Sequence, residues 1–201
     1  MDHFLTAGIF YLKTLKMSIV LNELFDLINE EEENNGDKYT VSQLINIIKN
    51  SDKYDVFLEA MADVRRELFV DDEVHGISHN ERVCLLACVI AIKEGLDARS
   101  LRILLEAAKY HDIGRKDRSG PTGEHGIRSA RIIEEKRADL VPDFNDEEVR
   151  ILKALAIGHN TADKKMETVI RENGVYDVLH AKKLLTILKD ADALDGVRLK
   201  R

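Results

Sequence analysis

Proline is scarce in this chain of 201 residues, where Pro121 and Pro142 are the two copies. Runs of alternating β-branched residues are scarce too, so little interrupts helical periodicity and little favours strands. Cysteine is limited to Cys84 and Cys88, four apart in an apolar helical run. Without a Cys/His ligand cluster, a tetrahedral structural zinc is not expected. The cysteine pair reads instead as small buried residues of a reduced cytosolic protein. Positive charge is not in excess. The formal net charge is -7, which gives no global attraction to nucleic acid or to an anionic membrane, while a local basic patch stays open. A membrane-length apolar run is missing, because the stretch from Phe4 to Leu21 carries Lys13 and Lys16. The start "MDHFLTAGIFYLK" lacks the basic n-region and the cleavage site of a signal peptide, so a cytoplasmic location is expected. There is no internal repeat and no low-complexity tract.

What is present is helical patterning almost everywhere. Hydrophobic residues make up 44% and charged residues 33%, an ordinary balance for a soluble helical protein of one domain, with or without an extension. The periodicity predicts helices over about 4–32, 41–50, 53–69, 79–95, 98–113, 124–138, 146–159, 164–173 and 177–195. Residues 1–70 read as an N-terminal helical extension without a motif, and 71–201 as the main domain. The first helix is amphipathic, to be packed on the domain or used between subunits of a homo-oligomer. Thr40 is placed to cap the helix that begins at Val41, and "EEEENNGDKYT" reads as a solvated turn. The segment "KDRSGPTGE" is a loop positioned to cover whatever precedes it.

What precedes it is "LEAAKYHDIGR", an apolar helix that delivers His111 and Asp112 to its own C-terminal end. That end carries partial negative charge and favours cations, so an inward acid there needs compensation. Gly114 is expected to stop the helix in the left-handed C′ position. Other helices repeat the pattern of a polar residue on an apolar stripe. His79 opens the stripe of Val83, Leu86 and Ile90, and His125 shares a face with Ser129, Ile132 and Ile133. Val149, Leu152 and Ala156 lead to His159, and Ala181, Leu185 and Leu188 lead to Asp192 and Asp195. One histidine on an apolar face is ordinarily a hydrogen-bonded core residue. Five helices that each place His or Asp on the core face near a helix end point instead to a divalent transition metal, which suits mixed imidazole and carboxylate ligands.

The order "SHNERV … YHDIGR … KDADALD" resembles the HD superfamily of metal-dependent phosphohydrolases, over about residues 75–199. The resemblance implies an all-α, HD-domain-like helical bundle whose metal ligands are His79, His111, Asp112 and Asp192. Asp192 is preferred to Asp190 because it stands in "ADAL". Asp190 and Asp195 are left to support the ligands or to lie at the surface. His125 and His159 fall where two-metal members place further ligands, with Asp112 bridging the ions; the alternative is that they contact the substrate phosphate or a metal-bound water. Here Asn160 follows His159 where the fullest two-metal pattern has a second histidine, and the Gly-Tyr-Pro motif of the cyclic dinucleotide branch is missing. His75 falls at a pocket mouth or in a plain turn, and His3 and His180 at the surface.

The implied activity is hydrolysis of a phosphomonoester or phosphodiester, such as a nucleotide or a related small phosphate ester, by a metal-activated water. The implied catalytic set is Asp112, His125, His159, Arg115 and Lys116. Arg82 and Arg118 are further cations that could meet charge on phosphoryl oxygens. One or two ions are expected: Mn²⁺, Fe²⁺, Co²⁺ or Ni²⁺ ahead of Zn²⁺ or Mg²⁺. A di-iron oxygenase of the same fold and a non-catalytic metal- or ligand-binding regulatory module are the alternatives. The chain ends at "GVRLKR" soon after the last ligand helix, which leaves open a missing C-terminal portion.

Overall fold

The computed structural model of the chain describes residues 41–62, 64–69, 76–116 and 124–197. The expected first helix with its subunit contacts, the Thr40 cap, His3, His75, Arg118 and the body of the loop after the His-Asp pair lie outside them. Among the described residues all regular structure is helical, as expected: nine α-helices and two 3-10 turns, with no strand. None of these helices is long and apolar enough to cross a membrane.

The chain divides into two compact units, Met1–Val64 and Arg65–Arg201. The first holds α1 (Val41–Lys49) and α2 (Tyr54–Ala62). Ser51 makes the turn between them, its hydroxyl donating to the Ile48 carbonyl at 2.7 Å. Leu44, Ile45, Ile48, Phe57, Leu58 and Met61 are buried. The predicted helix over 53–69 ends earlier, at Ala62, and Arg66–Leu68 forms a separate 3-10 turn.

The second unit contains α3 (Ile77–Lys93), α4 (Ala98–Tyr110), α5 (Glu124–Glu135), α6 (Arg137–Leu140), α7 (Asp146–Gly158), α8 (Met166–Glu172) and α9 (Val178–Val197). Helix starts follow local sequence signals. The Asp97 carboxylate caps α4 by accepting from Ser100 N at 2.9 Å and Ser100 Oγ at 2.6 Å. Asn145 and Glu148 form a reciprocal capping box on α7. Helix α3 stops in a Schellman turn: Gly95 has φ +65°, and Leu96 N donates to Ala91 O at 3.0 Å. Helix α4 packs between α3 and α7, while α9 lies against α3, α4, α7 and α8. Leu101, Leu104, Leu105, Leu152, Leu155 and Leu184 are fully buried at this crossing. Each contributes on the order of 1.5–3 kcal/mol of apolar burial. The polar ends of the same stripes therefore converge on one place.

Gly114 corrects an expectation. The described glycines with positive φ are Gly95 and Gly174, so Gly114 is not a left-handed stop. Its missing side chain serves close approach instead. A Cβ there would lie 2.3 Å from the His125 carbonyl oxygen and 2.4 Å from Ser129 N. Gly114 N donates to Ser129 Oγ at 2.9 Å, and Arg128 Nε donates to Gly114 O at 2.7 Å. Gly126 does the same between α5 and α7, where a Cβ would meet Ala156 O at 2.4 Å. These two contacts press His125 toward both the His-Asp turn and His159.

Candidate metal centre

Consider His111, the last member of the α4 stripe and its C-cap. Its Nδ1–H donates to the Ala108 carbonyl at 2.8 Å, since a carbonyl can only accept. Burial lowers its pKa to about 4, the charge of Asp112 opposing only in part. The ring is therefore neutral, with a lone pair on Nε2. That atom is buried and has no hydrogen-bond partner. His159 at the end of α7 is built in the same way, with Nδ1 2.7 Å from the Ala156 carbonyl. In each case a helix end offers the carbonyl three residues back, and the imidazole is turned so that Nε2 faces inward.

Asp112 is 3% exposed. Its Oδ2 accepts from Arg115 Nε at 2.6 Å. Its Oδ1 lies 3.2 Å from His125 Nε2 and 3.4 Å from His159 Nε2, yet neither approach is aligned as a hydrogen bond and Oδ1 is left without one. Burial disfavours the charged form, but the surrounding imidazoles, His111 first and then His125 and His159, hold the carboxyl well below the usual range. The sequence expects a metal alone to compensate this acid. The structure adds a protein cation, Arg115, so compensation is shared and Arg115 is already committed to a partner.

His79 enters from α3, gripped at both ring nitrogens by α9. Nε2 is 3.3 Å from Asp192 Oδ1 and Nδ1 is 2.7 Å from Asp195 Oδ2. Burial acts to lower its pKa, but the hydrogen bonds to Asp192 and Asp195 outweigh it and raise it to about 9. Asp195 also accepts from Arg82, at 2.6 Å on Oδ1 and 3.1 Å on Oδ2. Arg82, one of the candidate cations for a phosphate, is thus occupied by Asp195. Asp192 remains partly open to solvent, with 30% of its side chain exposed.

His125 and His159 meet Nε2 to Nε2 at 3.0 Å, and Asn160 Nδ2 lies 3.1 Å from His125 Nε2. Lys116 is exposed. His180 is half-buried against Ser100 Oγ at 2.9 Å, not a free surface residue. Both cysteines are free and buried, as expected.

Three overlapping triads have ligand atoms mutually within 4.8 Å: His79, His111 and Asp112; His111, His159 and Asp192; and Asp112, His125 and His159. All six candidate ligands therefore come together, and Asp112 belongs to two triads. The residues fit a divalent cation. Imidazole nitrogens and carboxylate oxygens converge on one place, and two of those atoms, the Nε2 lone pair of neutral His111 and Asp112 Oδ1, are buried without partners. Of the two places the sequence leaves for Asp195, it takes the supporting one, behind His79. Two features have no counterpart in the sequence reading: Arg82 on Asp195, and the carbonyls of Ala108 and Ala156 behind His111 and His159. The stripe that leads to Asp192 also leads to Asp195, because residues three apart share a helix face. No family model, curated protein or solved structure matches the chain.

Proposed function

We propose that the chain is a metal-dependent phosphohydrolase of the HD type, a monoesterase or diesterase acting on a nucleotide or similar small phosphate ester. The supporting observation is the unpaired, buried His111 Nε2 and Asp112 Oδ1 at the meeting point of four imidazoles and two carboxylates. His79, His111, Asp112 and Asp192 would hold a first ion, and Asp112, His125 and His159 a second. A divalent ion held there would acidify a water and draw charge from a phosphoryl oxygen. Two imidazole ligands, His79 and His111, would favour Mn²⁺, Fe²⁺, Co²⁺ or Ni²⁺ over Mg²⁺. The remaining groups are the chain's own. With the second position empty, His125 and His159 can share a proton between Nε2 atoms 3.0 Å apart and give it to the leaving oxygen. Arg115, bonded through Nε to Asp112, keeps its terminal nitrogens for phosphoryl oxygens. Lys116 is exposed beside it and adds attraction for an anion.

The sharing of Asp112 between two triads also favours a second reading, a di-iron oxygenase. One experiment separates the two. The protein is purified with its native metal, analysed for elements, and assayed against phosphate monoesters and diesters with Mn²⁺, Co²⁺ and Ni²⁺ supplied separately. Turnover with redox-inert or exchanged metals supports hydrolysis. Two irons per chain with visible absorbance and no phosphatase activity supports the oxygenase. Absence of any bound metal refutes both.

A further inference from the structure

We propose that Asp195, fixed by Arg82, is a positioning residue that turns His79 for metal coordination and so tunes one of the two ion positions separately from the other. The inference rests on the metal reading above.

Asp195 is a carboxylate only 4% exposed, on the same helix as Asp192 and one turn beyond it. Its two oxygens are both engaged. Oδ1 accepts from Arg82 Nε, and Oδ2 accepts from Arg82 Nη2 and His79 Nδ1. The guanidinium fork holds the carboxylate plane, and the remaining bond goes to one nitrogen of one ring. Asp195 therefore cannot swing in as a ligand and acts through His79. Because its carboxylate accepts, His79 keeps a proton on Nδ1, and Nε2 is the atom left to face Asp112 and Asp192. Helix α9 thus supplies a ligand at Asp192 and an orienting group at Asp195, one on each side of the same imidazole. His111 and His159 are oriented by main-chain carbonyls, which no side-chain substitution removes. His79 is oriented by a side chain, with its charge balanced by Arg82. Partners of this kind behind a metal-bound histidine typically contribute 10–100-fold to metal affinity.

The full chain is titrated with Co²⁺ at about pH 9, with a competing chelator fixing the free ion so that proton competition at His79 is small in every variant, and bound metal is followed by visible absorption and counted by elemental analysis. In Asp195→Ala, the ion that depends on His79 should bind roughly 10–100-fold more weakly, while the ion that depends on His125 keeps its affinity. Asp195→Asn still offers an oxygen to Nδ1–H and should recover most of the loss. Unchanged affinity in Asp195→Ala, equal weakening of both ions, or an Asn variant no better than Ala would overturn the inference. Arg82→Gln serves if the Ala variant does not fold: a weaker effect on the His79-dependent ion alone supports the proposal, and no effect overturns it. A second readout needs no metal. In chelated wild type the buried Nδ1–H of His79 should give a slowly exchanging downfield proton resonance that Asp195→Ala loses. If wild type binds no Co²⁺, the metal reading fails on its own, while an absent resonance defeats the positioning of His79 directly.

Discussion

The two sides of this site neutralise their charges differently. On the α9 side, His79 sits between Asp192 and Asp195, and Asp195 is matched by Arg82. That side is a closed ionic chain. On the α5–α7 side, His125 and His159 face each other at 3.0 Å with Asp112 Oδ1 beside them, and Oδ1 has no aligned donor. That side holds two imidazoles against each other and a carboxylate oxygen with no partner, and no arginine among the described residues enters it. A cation entering the first side must displace a proton from His79, whereas one entering the second must part the His125–His159 hydrogen bond and then meets the unpartnered Asp112 Oδ1. Asp112 joins the two sides.

The largest effect should come from the joint. Asp112→Ala removes a ligand common to two triads. Metal analysis after gel filtration should find both ions gone, a loss greater than the roughly 100-fold that an outer partner can account for. Retention of one ion at wild-type affinity would show that the sides are independent and that Asp112 serves only one.

Substitution on one side should cost one ion. His159 belongs to two triads and His125 to one, so His159→Ala should weaken metal more than His125→Ala. Both should leave the His79-dependent ion in place. Parallel loss of all metal in both variants, read by isothermal titration with Mn²⁺, would erase the distinction between the sides.

The pH response should differ in sign between metal-free and metal-loaded protein. The folded pKa of His79 is raised to about 9, above an ordinary value of 6.5. In chelated protein its charged form therefore stabilises the fold fully below pH 6.5, and that contribution is lost as the pH rises from 6.5 through 9. Metal needs the neutral ring, so affinity at the His79 side should rise with pH across the same window, by up to about tenfold per unit, and level off near 9. Melting curves with chelator should fall over this range, and the metal-induced shift should grow. His79→Ala should flatten both trends. A metal shift that is constant from pH 6.5 to 9 would mean that His79 is not displaced of a proton and is not a ligand.

Much of this arrangement was legible in the sequence, because burial of a stripe is periodic and a polar residue in phase with it must face inward. Val149, Leu152 and Ala156 brought His159 inside in that way, as the α4 leucines did for His111. The all-α class was legible for the same reason. What periodicity cannot report is the partner across a helix crossing. Arg82 and Arg115 are candidates for a phosphate in the sequence, Arg115 because it adjoins the ligands; Asp195 claims the first from 113 residues away. The second is claimed from three residues away, by Asp112 itself, the acid whose charge the sequence assigns to a metal. Gly114 misled for a related reason. A glycine after a helix suggests a left-handed stop, but here the constraint is the α5 backbone 2.3 Å from where a Cβ would be.

The smallest expected effect concerns what holds Asp112 when no metal is present. If an ion were its sole compensation, Asp112→Asn in chelator would relieve a buried charge and melt at or above wild type. Arg115 changes that sign. Its Nε donates to Oδ2 at 2.6 Å, and against the cost of burial the surrounding imidazoles, His111 first, hold the folded carboxyl well below its usual range, so the anion is favoured in the fold over the pH range above its unfolded value near 3.9. Losing it should lower stability at neutral pH. The loss is moderated because Asn retains an oxygen for Arg115 and because Arg115, with 18% of its side chain exposed, can be partly rehydrated. A decrease of about 1 kcal/mol is the scale of one net hydrogen bond. In a chain of this size it corresponds to roughly 2–4 °C in melting temperature. Added Mn²⁺ should then raise the wild type and leave the variant nearly unmoved, since the amide is a poor ligand. Chelated Asp112→Asn melting above chelated wild type would return the whole compensation to the metal and make the Arg115 contact incidental. A fall much larger than a few degrees would make Asp112 a structural ion-pair residue first, with its place between the two sides of the site a consequence of that pairing.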